Sequence, residues 1–271
     1  MVTATTTRPV GDMLRDWRRR RRLSQLELSN EAGISTRHLS FLETGRSRPS
    51  RDMVLRLTER LDVPLRERNG LLMAAGFAPV YRERSIDEPE MRPARQALNK
   101  VLDGHEPYPA LVVDRFWNLV MANEASMLFL EDMPEDLVRP PVNIHRLALH
   151  PRGLAARVVN LPEVRAHLVA RMARQVSLTG DPRLRALHEE TRGYGGGDDD
   201  APRETAHDIA LPTRLRYGDR VLSFFSTVTT FGTAEDVTLA ELAIEAFFPA
   251  DEETGEYLRE RAARGQGSGR S

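Results

Sequence analysis

The sequence predicts two domains of different class: an all-α domain of five helices over residues 8–82, then an α+β domain over residues 95–250 built on a five-stranded antiparallel sheet. Three observations carry this. Up to Gly76, apolar residues recur at helical spacing and are punctuated into short helices by cap residues and glycines. After residue 95, β-rich runs occur twice early and three times late, around a helical middle. The charge changes as well: residues 1–82 hold 16 Arg against 9 Asp and Glu, a net +7, and the total of −1 leaves −8 for residues 83–271. A basic domain followed by an acidic one is the pattern expected when only the first faces phosphate.

Val10–Arg22 is expected as the first helix, with Leu14, Trp17 and the stems of Arg18 and Arg21 on one side. The arginine run 18–22 lies at its C-terminal end, where positive charge suits the helix dipole. Ser24 caps the second helix and Glu27 completes a capping box, with Leu26, Leu28 and Ala32 as apolar positions and Gly33 as the stop. Ser35 starts the third, with Leu39 and Leu42 buried and Gly45 following Glu43. Pro49 and Ser50 start the fourth (Met53, Val54, Leu57, Leu61), and Pro64 opens a fifth that runs through Leu71, Leu72 and Ala75 to Gly76. Two helices of about eight residues joined by about three have the spacing of a helix-turn-helix, whose second helix lies in the DNA major groove.

Residues 83–94, rich in Arg, Glu, Asp and Pro, are the expected linker. Arg95–Leu102 forms a helix ending near Gly104. Pro109–Ser126 then supplies two strands with a turn near Asp114–Phe116, and Asn123 opens a helix. Residues 134–190 are helical, with Leu161, Val164, Leu168 and Met172 as one apolar stripe. The segment GYGGGDDD at 193–200 is a loop. Three strands follow, Thr205–Leu215, Val221–Thr230 and Leu239–Phe248, with turns at Tyr217–Asp219 and around Gly232. Residues 251–271 are expected as the end of a helix and a flexible tail.

The residues Gln25, Gly33, Leu39, Leu42, Glu43 and Gly45 resemble the pattern of Xre-family, lambda-repressor-like helix-turn-helix domains. The second half resembles the ligand-binding domain of MmyB-like transcription regulators. That likeness rests on DGHEPYPALVVDRFWNLVMAN at 103–123, LALHPRGLAARVVNLPEV at 147–164 and LSFFSTVTTFGTAEDVTLAELAIEAFFPAD at 222–251, and it includes VPLRERNGLLMAAGFAPVY at 63–81. It implies a PAS-like α+β fold and a ligand of fatty-acid type. GYGGGDDD is a departure without a family role. The first resemblance also implies that Gln25 meets phosphate from the start of the second helix, and that Glu43 pairs with Arg18 in a structural role.

In the helix-turn-helix, Thr36, Arg37, Ser40 and Phe41 are the candidates for base edges. A guanidinium can bond guanine O6 and N7 at once, which favours Arg37, and the Phe41 ring can touch a thymine methyl. Arg46, Arg48 and Arg51 are candidates for the phosphate backbone. In the second domain, Val112, Trp117, Met121, Leu168, Met172, Phe224 and Phe225 are pocket candidates, although a sheet face and an amphipathic helix bury such residues in any case. Trp117 and the methionines stand out, since Met adapts to irregular apolar ligands.

Other chemistries find little footing. The sequence has no cysteine, which removes disulfides, thiolate metal sites and cysteine nucleophiles. Gly193 and Gly195 do not complete a phosphate loop, since Asp198 stands where a third glycine is needed. The three aspartates lack EF-hand alternation. His145 and His150 are five apart, off a common helix face and without a completing carboxylate. No G-x-S-x-G elbow occurs, and no apolar run reaches signal-peptide or membrane-span length. The sequence therefore points to a cytoplasmic, non-enzymatic transcriptional regulator without cofactor or membrane contact. Its expected partners are double-stranded DNA carrying a palindromic operator, an apolar small molecule and a second copy of the chain, because one module makes too few contacts for tight selectivity. The alternatives are an interaction scaffold, an enzyme or a small-molecule carrier with a DNA-binding head.

Overall fold

The computed structural model describes residues 8–195, 211–232 and 234–268. By contacts it divides into two units, the first made of residues up to 85 with 234–240, the second of residues 86–232 and 241–271.

The first unit contains α1 (Val10–Arg20), α2 (Gln25–Glu31), α3 (Thr36–Glu43), α4 (Arg51–Arg60) and α5 (Leu65–Ala74). The helix-turn-helix boundaries follow from local chemistry. Ser24 accepts from the Glu27 amide while the Glu27 carboxylate accepts from the Ser24 amide, a complete capping box. Ser35 and Ser50 cap α3 and α4 by the serine bond alone, accepting from the His38 and Met53 amides. Gly33 and Gly45 follow α2 and α3 at φ of +64° and +72°, where a side chain would be strained. Helix α1 stops two residues earlier than its charge pattern suggests, because Arg22 takes a positive φ of 58° and turns the chain.

The core of this unit gathers Leu14, Trp17, Leu28, Leu39, Leu42, Val54, Leu57 and Leu71 with their neighbours. Leu26 corrects the expected apolar side of α2: it is 60% exposed, and only Leu28 and Ala32 of the three turn inward. Gly11 lets α1 cross α3 closely, since a Cβ there would stand 2.4 Å from the Leu42 carbonyl oxygen. Asn69 pins the chain after α5, accepting from the Val80 and Tyr81 amides and donating to the Tyr81 carbonyl. Residues 234–240 join the unit through the Val237 amide, which donates to the Arg82 carbonyl at 2.8 Å.

The second unit opens with α6 (Arg92–Gly104), which begins within the expected linker because Pro93 sits in its first turn, where proline is tolerated. Strands β1 (Ala110–Val113) and β2 (Leu119–Ala122) form the early hairpin, with Trp117 at φ 65° in its turn. The helical middle is more broken than one run. It holds α7 (Glu135–Val138), α8 (Ile144–Leu149), α9 (Leu161–Thr179) and α10 (Pro182–Arg192), with Gly180 in the left-handed conformation between the last two. Strand β3 (Thr213–Tyr217) runs two residues past its expected end and does not include Leu211 and Pro212, and 205–210 lie outside the described residues, as does the loop sequence from Gly196 to Asp200. Strand β4 spans Arg220–Thr230. Strand β5 is Ala243–Pro249 rather than Leu239–Phe248, because α11 (Val237–Glu241) takes the residues before it. Gly218, at φ 56°, makes the β3–β4 turn.

The five strands form one antiparallel sheet in the order β2-β1-β5-β4-β3, the expected class and strand number. Helix α12 (Glu252–Ser268) lies in the stretch expected as a helix end and tail, anchored where Leu258 packs with Leu222 and Phe224, and 269–271 lie outside the described residues.

Candidate DNA interface and ligand cavity

Helix α3 presents Arg37 exposed at its start, with half-buried Phe41 one turn on. The Arg37 guanidinium lies 5.3 Å from the Phe41 ring centroid and that of Arg46 lies 5.9 Å from it, so one ring holds two arginines. Thr36 is tied down: its hydroxyl meets Ser29 Oγ at 2.9 Å, bracing α3 against α2. Ser40 is half-buried, while Arg46, Arg48 and Arg51 are exposed beyond the helix.

Behind this surface, Glu43 is 2% exposed and takes a two-pronged ion pair from Arg18, Nε to Oε1 at 2.6 Å and Nη2 to Oε2 at 2.9 Å. Gln25 Nε2 also donates to Glu43 Oε2 at 2.8 Å. Here Gln25 points inward to the pair, where the resemblance implies phosphate. Burial pushes the Glu43 carboxyl upward, but the Arg18 and Gln25 hydrogen bonds outweigh it and hold the group below the usual carboxylate range.

In the second unit, a cavity of about 1390 Å³ lies between one sheet face and the helices around α8 and α9. Of the pocket candidates, Leu168, Phe224 and Phe225 border it. Val112 and Met121 pair with each other across β1 and β2, and strand alternation turns them to the face opposite that of cavity-lining Leu111. Trp117 and Met172 pack in the cluster with Leu111 and Val113 beside the cavity.

The sequence reading missed the cavity's polar residues. Glu245, 4% exposed within β5, accepts from Arg171 Nη1 and Ser226 Oγ, both at 3.2 Å. The Arg171 guanidinium lies 4.1 Å from the Trp117 ring centroid, and the His145 ring meets Trp117 edge-on at 4.6 Å. Trp117 Nε1 donates to Gln175 Oε1 at 2.8 Å. His145 and Arg165 border the cavity at 1% and 8% exposure. Burial pushes the His145 imidazole down to about 3, with the Arg171 charge adding to the effect. One signal was available: Leu161, Arg165, Leu168 and Met172 also follow helical spacing, so Arg165 occupies an inward register of α9. Among the described residues no group of three His, Cys, Asp or Glu could hold a metal ion, and no helix is long and apolar enough to cross a membrane.

Residues 94–260 match the model of the MmyB-like transcription regulator ligand binding domain. The chain belongs to this MmyB-like family. Residues 14–68 match a helix-turn-helix model, so this MmyB-like chain is a DNA-binding transcription regulator with a ligand-sensing domain. Both families are regulatory modules of binding rather than catalysis. No curated protein matches the chain. Similar solved structures include the PAS domain of Bordetella pertussis BvgS, at 16% identity and TM-score 0.27, covering 65% of this chain and 98% of that one. Another is an RNA-binding light-oxygen-voltage receptor, at 14% identity and TM-score 0.23, covering 97% of this chain and 65% of that one. The chain thus joins a helical DNA-binding head to a PAS-like α+β domain with a five-stranded antiparallel sheet.

Proposed function

We propose that this MmyB-like regulator is a cytoplasmic homodimer whose affinity for a palindromic operator is set by a mostly apolar small molecule, of fatty-acid type, in the second unit. The observation that carries this reading is the large cavity between sheet and helices in the chain that also bears a helix-turn-helix. It exceeds the roughly 300 to 1,000 Å³ of ordinary small-molecule sites and is walled by apolar residues such as Leu111, Leu168, Phe224 and Phe247. Arg37 reads bases with Ser40 and Phe41, and Arg46, Arg48 and Arg51 grip phosphates. Thr36 and Gln25 contribute chiefly by bracing α3, given their bonds to Ser29 and Glu43.

Coupling between the two sites is reciprocal: a ligand that weakens operator binding tenfold is itself weakened tenfold by operator, about 1.4 kcal/mol each way. Titrating fatty acids of graded chain length with and without a selected operator tests the reading. The expected result is saturable binding at one optimal length with an equal, reciprocal shift in both affinities. Saturable binding with unchanged operator affinity overturns the sensor.

A further inference from the structure

The cavity is not lined as a container for hydrocarbon. Among the described residues, both ring nitrogens of His145 are buried without a hydrogen-bond partner, and so is Nη1 of Arg165. A neutral imidazole always carries one donor and one acceptor, and leaving a buried polar atom unpaired costs about 1 to 3 kcal/mol. A buried guanidinium keeps its charge and costs more without an opposite charge. The neighbouring ionic groups do not serve these atoms. Arg171 Nη1 is paired with Glu245, and Arg171 Nε is a further buried donor without a partner among the described residues. Glu163 also borders the cavity with its Oε2 unpartnered, but it stands two residues from Arg165 on α9, and positions i and i+2 of a helix do not face one another.

The geometry points to an oxygenated acid as the ligand: a large apolar skeleton whose anionic group seats on Arg165 and whose hydroxyl- or carbonyl-type group seats on His145. This rests on the reading of the cavity as a ligand site and narrows its chemistry, with Arg165 selecting acids against neutral analogues and His145 selecting oxygenated chains against plain ones. Apolar contacts along the cavity supply bulk affinity with little discrimination, whereas a site built around unpaired polar atoms rejects a ligand that leaves them so.

Calorimetry on delipidated full-length protein tests this with three probes of one chain length: hexadecanoic acid, its methyl ester, and a set of monohydroxylated hexadecanoic acids. The acid should bind at least about tenfold more tightly than the ester, since the anion's charge-assisted bond to a buried guanidinium is replaced by the weaker bond of a neutral ester carbonyl, which leaves the charge unpaired. Arg165→Gln should erase that preference and Arg165→Lys should keep most of it. At least one hydroxylated isomer should exceed the plain acid, and His145→Phe should remove that increment while leaving the preference for acid over ester. Equal binding of acid and ester by the parent protein, or a preference that survives Arg165→Gln, overturns the inference and leaves the apolar-ligand reading standing. No gain from any isomer overturns the part assigned to His145. Absence of binding by every probe overturns both. If Arg165→Gln fails to fold, the parent and Arg165→Lys measurements decide between the outcomes.

Discussion

Each unit buries an arginine, and the two are treated in opposite ways. In the helix-turn-helix unit, Arg18 meets Glu43 through two bonds, and Gln25 takes up the same carboxylate. In the ligand unit, Arg165 Nη1 and both nitrogens of His145 are buried beside a cavity without partners among the described residues. A satisfied buried pair rigidifies the element that carries it, here the C-terminal end of the recognition helix. Unsatisfied groups beside open space hold binding energy for something that enters. The comparison separates a charge that maintains a surface from charges that await a partner.

The largest expected way to break that contrast is Glu43→Ala, which strands Arg18. Removing one member of a buried pair costs roughly 3 to 5 kcal/mol, and the partial exposure of Arg18 places this variant near the lower figure. A denaturant titration of the full chain should show the first unit unfolding early while the second keeps its midpoint, and an unshifted first transition would remove the pair from this role. The same pair gives an acid dependence. The Glu43 carboxyl is held low in the fold, so its contribution is complete above its unfolded value near 4.5 and disappears as pH falls through the folded one.

His145 should produce the complementary effect in the second unit. Its imidazole is held near 3 in the fold against 6.5 unfolded, so between those values the unfolded chain binds the proton that the fold refuses. Stability should therefore be complete above 6.5 and fall at about 1.4 kcal/mol per pH unit as pH drops toward 3. In His145→Phe that slope should be gone. Melting curves across this range for parent and variant check it, and an identical slope in both would assign the acid sensitivity elsewhere.

Gly11→Ala should cost about 1 to 3 kcal/mol, because its Cβ would strike the Leu42 carbonyl and push α1 off α3. Operator affinity should drop with stability, which a melt paired with a binding curve measures. The finest comparison is within α3 and its exit. Arg37→Ala should cost about 1 to 3 kcal/mol on a selected operator and little on random DNA. Arg46→Ala should weaken both and lower the salt slope by about one. Phe41 holds both guanidinia, so Phe41→Leu should show each effect in part; anisotropy titrations at several salt concentrations separate them.

The helix-turn-helix was legible almost residue by residue. Ser24 with Glu27, Ser35, Gly33 and Gly45 act on backbone atoms within four positions of themselves, and such local hydrogen bonds and dihedral limits are written in the order of residue types. Alternation and turn residues likewise announced five strands, whose antiparallel order then required the fold to close. Three things depended on the tertiary structure. Val112 and Met121 were indistinguishable from cavity residues by type, and only the β1–β2 register places them on the far face. Leu26 looks like a core residue and is exposed, because only packing decides which side of a short helix is covered. His145, Arg165 and Glu245 come from α8, α9 and β5, and their shared cavity is a long-range fact. Sequence order determined the elements because caps, turns and periodicity are local. Which polar groups would be buried without partners was decided by the meeting of distant segments, since burial belongs to no residue alone.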